Sequence, residues 1–421
     1  MIIAQDAAKA HGLDGTLEEP DWPPLTLLEV DSLLRRYPQA SGAEEILSRS
    51  PRPFSAAGVV ATPLGSVFVK RHHRSVRDRE GLLEEHRLIA HLSAAMEDEA
   101  YRATDRPSFS PNLVQAVLAD RDGETAVSVG EWTYEVHPVA RGVDVYEQAL
   151  SWTPFLCIGH ARAAGRALAR LHLASSSYQA PARKIQQLVT NFTVFAGPEP
   201  EDSYGSDRLD DGPVRRMDAY LERRPLLRAY AEMRDWRSSL GKLFLPLYRT
   251  LEPWLPYLRP LWTHNDFHAS NLTWSTAAGA DAEVAGILDF GLADRTNAVH
   301  DLATAIERNI VEWLRMDDPD ANLVHLDHVD TLLSGYEELC PLSYEEARAL
   351  AAMLPLAHCE FALSETDYFL SILHSPKKAY FAYEGYFLHH AEWFRSEQGQ
   401  KLLAHLEGWA EDRPRTRGGE L

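Results

Sequence analysis

Residues 264–271 read His264-Asn265-Asp266-Phe267-His268-Ala269-Ser270-Asn271, and Asp289-Phe290-Gly291 follows at a short distance. The first segment sets a histidine, a carboxylate and an amide at the spacing H-x-D-x-x-x-x-N. Phosphoryl transfer asks for such a set. One carboxylate orients and deprotonates the attacking hydroxyl, and two oxygen ligands hold Mg²⁺ on the phosphates. Asp266 suits the first role. Asn271 and Asp289 suit the second, because hard Mg²⁺ prefers oxygen donors and keeps several waters. D-F-G alone says little; both segments in this order say much more.

The elements around them are legible too. Leu261 to Thr263 predicts a short strand, Asn271 to Trp274 a second, and Val284 to Phe290 a third. Small residues between Thr276 and Asp281 suit a turn, so the last two strands form a hairpin that brings Asn271 close to Asp289. Upstream, Thr26 to Tyr37 reads as a short helix. Ala57 to Ala61 and Val67 to Lys70 read as strands joined by the turn Thr62 to Ser66, Arg77 to Ala95 as a helix, and Thr125 to Val129 and Thr133 to Val136 as strands. From about residue 144 the pattern is almost wholly helical.

The expected fold class is therefore α+β, in two lobes. Residues 1–40 are a lead-in, 41–140 a small β-rich nucleotide-binding lobe, 141–411 a large, mostly helical lobe with an insertion at about 175–260, and 412–421 a tail. The segment Gly197 to Gly212 reads as an acidic loop.

Lys70 ends a strand upstream of the catalytic carboxylates, where a lysine can contact the α- and β-phosphates if a helix glutamate holds it. Leu82, Leu88, Ile89 and Leu92 form one apolar face of the following helix, and Glu85 points with that face. A carboxylate there needs a partner, so Glu85 rather than Glu84 is expected to pair with Lys70. No G-x-G-x-x-G precedes Lys70. Ser48 to Ser55 stands where a phosphate-covering loop belongs. Its N–H groups and hydroxyls, Ser55 included, could do that work, and a loop with no ligand is the alternative. Backbone groups near His137 and Val139, on the connection between lobes, are the expected adenine contacts.

Composition narrows the partners. The chain has 421 residues and a formal charge of −20. That disfavours nucleic acid and anionic membranes, and is compatible with a cationic small substrate as well as with plain solubility. Cys157, Cys340 and Cys359 are scattered, without C-x-x-C. The first residues do not read as a signal peptide and no stretch reads as a membrane span, so a cytoplasmic location is expected.

With these parts assembled the chain resembles the aminoglycoside phosphotransferase / choline kinase-like family, over about Ala43 to His390. The resemblance rests on residues 264–271, on Leu168-Ala169-Arg170-Leu171-His172, and on Asp289-Phe290-Gly291 followed by Asp301-Leu302-Ala303. The family usually has glycine where Asn265 stands, and choline-kinase-like members share the asparagine. The resemblance implies a protein-kinase-like bilobal fold with ATP and Mg²⁺. It also implies a structural His268, and an Asp301 that supports the catalytic loop. The departures are the Ser/Pro loop 48–55 and the segment 175–260.

The expected activity is transfer of the γ-phosphate of ATP to a hydroxyl of a small aminoglycoside-, amino alcohol- or sugar-like molecule. A nucleotide-binding pseudokinase is the alternative. A protein kinase fits less well, because only about ten residues separate Gly291 from Asp301, with no A-P-E after them. For the acceptor, Glu360, Ser364 and Asp367 share one face of a helix. Glu360 and Asp367 are candidates to hold it, with a solvated acidic face as the other reading.

Overall fold

The computed structural model describes residues 20–97, 113–197, 212–276, 281–316, 318 and 321–414. The expected acidic loop and terminal tail fall almost wholly outside these residues.

Helix α1 (Leu27–Leu34) opens with Thr26 as its cap; the Thr26 side chain takes the Glu29 N–H and Glu29 reaches back. A five-stranded sheet follows, in the order β1 (Glu45–Arg49), β2 (Ala56–Thr62), β3 (Gly65–His73), β5 (Trp132–Pro138), β4 (Val127–Val129). All its pairings are antiparallel. Strand alternation divides its two faces. Val67, Val69, Tyr134 and Val136 join α1 in one small core. Lys70, His72 and Glu135 take the opposite face. Helix α2 (Arg79–Glu97) contributes Leu88, Ile89, Leu92 and Met96 to the larger core of the helical lobe.

Within the larger lobe, α3 (Ile158–Ser175) lies against the later helix α5 (Leu326–Glu337). Backbones meet there. A Cβ on Gly165 would stand 2.0 Å from Leu332 O, and one on Gly335 2.2 Å from Arg162 O, so both positions need glycine. Two small ribbons carry the site. β6 (Pro260–Thr263) pairs with β9 (Asp294–Asn297), and β7 (Leu272–Trp274) pairs with β8 (Val284–Ile287), both antiparallel. Helix α4 (Ala298–Ile310) follows β9 directly, and α6 (Cys359–Ser371) and α7 (Pro376–Tyr380) come later. This is the bilobal protein-kinase-like fold.

Two strands escaped the sequence reading. β1 is largely exposed along its length and β9 is Asp-Arg-Thr-Asn. Neither has an apolar alternation; their partners make them strands. β8 stops at Ile287, short of the expected Phe290, because Asp289 leaves the extended region for φ 56°. Among the described residues no helix is long and apolar enough to cross a membrane.

Candidate active site

The catalytic-loop segment leaves β6 and makes a sharp turn at Asn265, whose φ is +61°. Glycine adopts that conformation freely, and asparagine is among the few side chains that tolerate it. Here the side chain is also used. Asn265 Oδ1 accepts from the hydroxyls of Thr263 (2.8 Å) and Thr296 (3.1 Å), and its Nδ2 donates to Leu292 O at 3.2 Å.

Asp301, in the first turn of α4, fixes the same turn from beneath. Its two oxygens accept the N–H groups of His264 and Asn265, each at 2.8 Å, and His172 Nε2 lies 3.0 Å from Oδ2. Burial works against its charge, and His172 and His264 more than offset this, so its carboxyl is held below the usual range. Removing a buried partner strands the others. Asp301→Ala should lower unfolding stability by about 3–5 kcal/mol, read by denaturant titration. A change under about 1 kcal/mol would show that the loop holds itself without this anchor.

Asp266 then projects into a cavity that Asn271 and Asp289 also line. The hairpin achieves this: Leu288 N donates to Asn271 O at 2.9 Å, so the two sides of the ribbon start adjacent. Asn271 Nδ2 donates to Asp266 O and Oδ2, at 3.0 and 3.2 Å, leaving its carbonyl oxygen for another partner. Asp289 is 39% exposed and takes the Lys70 ammonium at 2.8 Å. Desolvation alone would raise the Asp266 pKa, but His268, Arg308 and His264 outweigh it, and the carboxyl sits well below its ordinary range. Asp289 is likewise lowered, the partial loss of solvent around it in the cleft being outweighed by Lys70. His268 does more than support the loop. It lines the cavity, with Nε2 3.5 Å from Asp266 Oδ2.

The expected Lys70–Glu85 pair does not form. Lys70 reaches Asp289, while Glu85 Oε2 accepts from Arg183 at 3.4 Å. Arg183 comes from the segment after α3, 98 residues beyond Glu85 in the chain. Its other N–H groups bond Gly81 O and Gly291 O, at 2.9 and 3.0 Å, and Arg77 also donates to Gly291 O at 2.8 Å. Two arginines thus hold the Asp289-Phe290-Gly291 turn against α2.

The carboxylate opposite Lys70 across the sheet is Glu135, which the sequence reading missed. Nε2 of His72, His86 and His137 lie 3.0, 2.9 and 2.9 Å from its oxygens. Desolvation opposes its charge, but these histidines hold its pKa well below the ordinary value. The signal was present: Glu135 alternates with Tyr134 and Val136, so it had to share the Lys70 face. His137 therefore has a charge partner, and neither it nor Val139, which is exposed at the end of β5, lines the cavity with Asp266.

The loop between β1 and β2 does lie over the cavity, through Arg52 rather than Ser55. Arg52 lines it and donates to Ala149 O at 3.0 Å, whereas Ser55 is buried and does not line it. The Arg52 charge is disfavoured by burial and supported by Asp266 and Asp289.

Glu360 and Asp367 are corrected as acceptor contacts. Both are buried and neither lines the cavity. Glu360 accepts from Thr193 Oγ1 at 2.9 Å, Asn191 N at 3.0 Å and Val194 N, so it ties a short helix to α6. Asp367 accepts from Gln187 Nε2 at 3.0 Å and Ser371 Oγ at 2.7 Å. The cavity face of α6 is Phe361, Glu365 and Phe369, at four-residue spacing.

The donor set suits a hard divalent cation bound jointly with phosphates: one exposed carboxylate and one free amide oxygen, with no His/Cys/Asp/Glu cluster of three or more able to hold a metal among the described residues.

The sequence profile of the phosphotransferase enzyme family matches residues 58–342. No curated protein matches the chain significantly. Among solved structures, the microcompartment-associated aminopropanol kinase aligns with TM-score 0.52 at 17% identity, over 90% of this chain and 100% of that one. The aminoglycoside phosphotransferase from Alicyclobacillus acidocaldarius subsp. acidocaldarius DSM 446 aligns at 0.44 and 17%, over 93% and 98%. Spectinomycin phosphotransferase in complex with ADP and spectinomycin aligns at 0.47 and 11%, over 92% and 99%.

Proposed function

We infer that this chain, which belongs to the phosphotransferase enzyme family, moves the γ-phosphoryl group of ATP to a hydroxyl of a small molecule. The observation that carries this reading is the convergence of Asp266, Asn271 and Asp289 on one cavity, with Lys70 reaching Asp289 from the smaller lobe. Asp266 accepts the hydroxyl proton. The acceptor oxygen bonds to the γ-phosphorus, the bridge to the β-phosphate breaks, and ADP leaves. Asn271 and Asp289 would hold Mg²⁺, which when bound neutralises charge on the phosphates. Lys70 and Arg52 supply further positive charge from the smaller lobe. The aminopropanol kinase aligned above fits this assignment of reaction.

The segment after Gly291 favours a small acceptor over a peptide. It runs at once into β9 and α4, leaving no platform on which a peptide could lie. The full set Lys70, Asp266, Asn271 and Asp289 favours an active enzyme over a pseudokinase.

The test is a thermal-shift titration with ATP and Mg²⁺, then an ATP-consumption screen over hydroxyl compounds. Metal-dependent stabilisation and acceptor-dependent ADP release are expected. Stabilisation without turnover on any acceptor would favour the pseudokinase. No response to ATP would remove the reading.

A further inference from the structure

We propose that the acceptor is an apolar, aromatic-bodied hydroxy acid whose carboxylate is bound by Arg308 beside the reacting hydroxyl. This rests on the phosphotransfer reading above and names the substrate class of that site.

The walls beyond Asp266 are aromatic: Phe54, Trp152, Phe361, Phe369, Phe381 and Tyr386. Such walls suit a flat or apolar body better than a polyhydroxylated sugar. The charges point the same way. With Asp266, Asp289 and Arg52 given to the reaction and the phosphates, the lining keeps two cations, Arg308 and Lys378, against one carboxylate, Glu365. A binding site for a polycation would need the opposite balance. Net charge is spread over the whole surface; the charge an acceptor meets is that of this lining.

Arg308 is the deeper of the two. It is buried on α4, two residues before the helix ends, with its guanidinium 5.1 Å from the Trp152 ring, 5.5 Å from Phe361 and 5.8 Å from Tyr386. Burial opposes its charge, but Tyr386, Glu307, Asp266 and Glu365 around it more than offset that. A guanidinium has five N–H donors. Two contacts to carboxylates are made, Nη2 to Asp266 Oδ1 at 3.5 Å and Nε to Glu307 Oε2 at 3.1 Å. The fork retains donors for a planar anion, held in orientation by the rings. Because Nη2 is so near Asp266, an anion on Arg308 and a hydroxyl on Asp266 must be separated by only a few bonds. An ammonium in that place would face Arg308 across a low-dielectric, aromatic enclosure.

Lys378 and Arg52 are placed differently. Lys378 stands at the α7 side with Asp21 at 2.7 Å, and Arg52 sits on the smaller-lobe loop, donates to Ala149 O and is given to the phosphates. Arg308 is therefore the one set to read the acceptor.

Three probes on one scaffold test this: 3-(hydroxymethyl)benzoate, 3-(hydroxymethyl)benzylamine and 1,3-benzenedimethanol, assayed for ADP release and for binding to the full chain with ATP and Mg²⁺. The benzoate should be preferred roughly 10–100-fold in kcat/KM or affinity, the range of a charge-assisted hydrogen-bonded pair. In Arg308→Met that preference should vanish through KM, and Arg308→Lys should restore part of it. The thermal midpoint of each variant separates misfolding from lost recognition. A preference for the amine, equal treatment of all three, or a benzoate preference that survives in Arg308→Met would overturn the proposal. ATP binding with the wrong acceptor preference sinks this inference alone; failure to bind ATP sinks the reading beneath it.

Discussion

Asp266→Asn should lower kcat by roughly 10²–10⁴-fold, the usual contribution of a positioned proton acceptor, and leave ATP affinity nearly unchanged. The substitution keeps the shape and removes the charge. Asp266 lies beside Asn271, His268 and Arg308, but its carboxylate does not reach Lys70, so nucleotide binding has no direct stake in it. The depressed pKa sharpens the expectation. A carboxyl held below its ordinary range stays ionised as the pH falls, so Asp266 should give no acid limb in kcat near the usual carboxylate value of about 4. It stays ready to orient the hydroxyl and take its proton while charge moves onto phosphate oxygens. Single-turnover rates of the purified variant, with ATP binding measured in parallel, check this. Unchanged turnover would remove Asp266 from the reaction.

The parts of the site that were readable in the sequence are those whose partners lie close in the chain. Asp266 and Asn271 share a loop, and a single hairpin brings in Asp289. Lys70 was readable as well, because strand alternation fixes its face. Its partner was not. Whether Lys70 meets Glu85 or Asp289 depends on where α2 settles, and Arg183, from another part of the chain, takes Glu85. On α6 the sequence predicts the helix but does not tell its acidic face from its cavity face. Acidic residues were weighed as ligands, yet Glu360 and Asp367 are buried to tie down loops, while Phe361, Glu365 and Phe369 face the cavity. Arg308 carries a signal of its own: Glu307 and Arg308 fall between the apolar positions Leu302, Ala303, Ile306 and Ile310 of one helix, so charges there need polar company indoors.

Asp289→Ala should abolish the Mg²⁺ dependence of ATP binding, costing roughly 10²-fold or more in affinity at saturating metal, because the ion's charge stabilisation amounts to several kcal/mol. Alanine also disturbs the backbone. Asp289 sits at φ 56°, where alanine is strained by about 1–2 kcal/mol and asparagine is tolerated. Asp289→Asn is therefore the informative companion: it keeps the turn and the size and removes the charge. Both variants should lose the metal effect, and the alanine, which also strains the turn, should lower the thermal midpoint further. Lys70→Ala makes the contrast. It removes the ammonium that contacts Asp289 at 2.8 Å but leaves both metal donors, so ATP should bind more weakly while still responding to Mg²⁺. Calorimetric ATP titrations with and without Mg²⁺ on the three variants decide the matter. If affinity and its metal dependence are indifferent to Asp289 and Lys70 alike, the nucleotide does not bind between these lobes, and Asn271 and Asp289 are ends of a hairpin and nothing more.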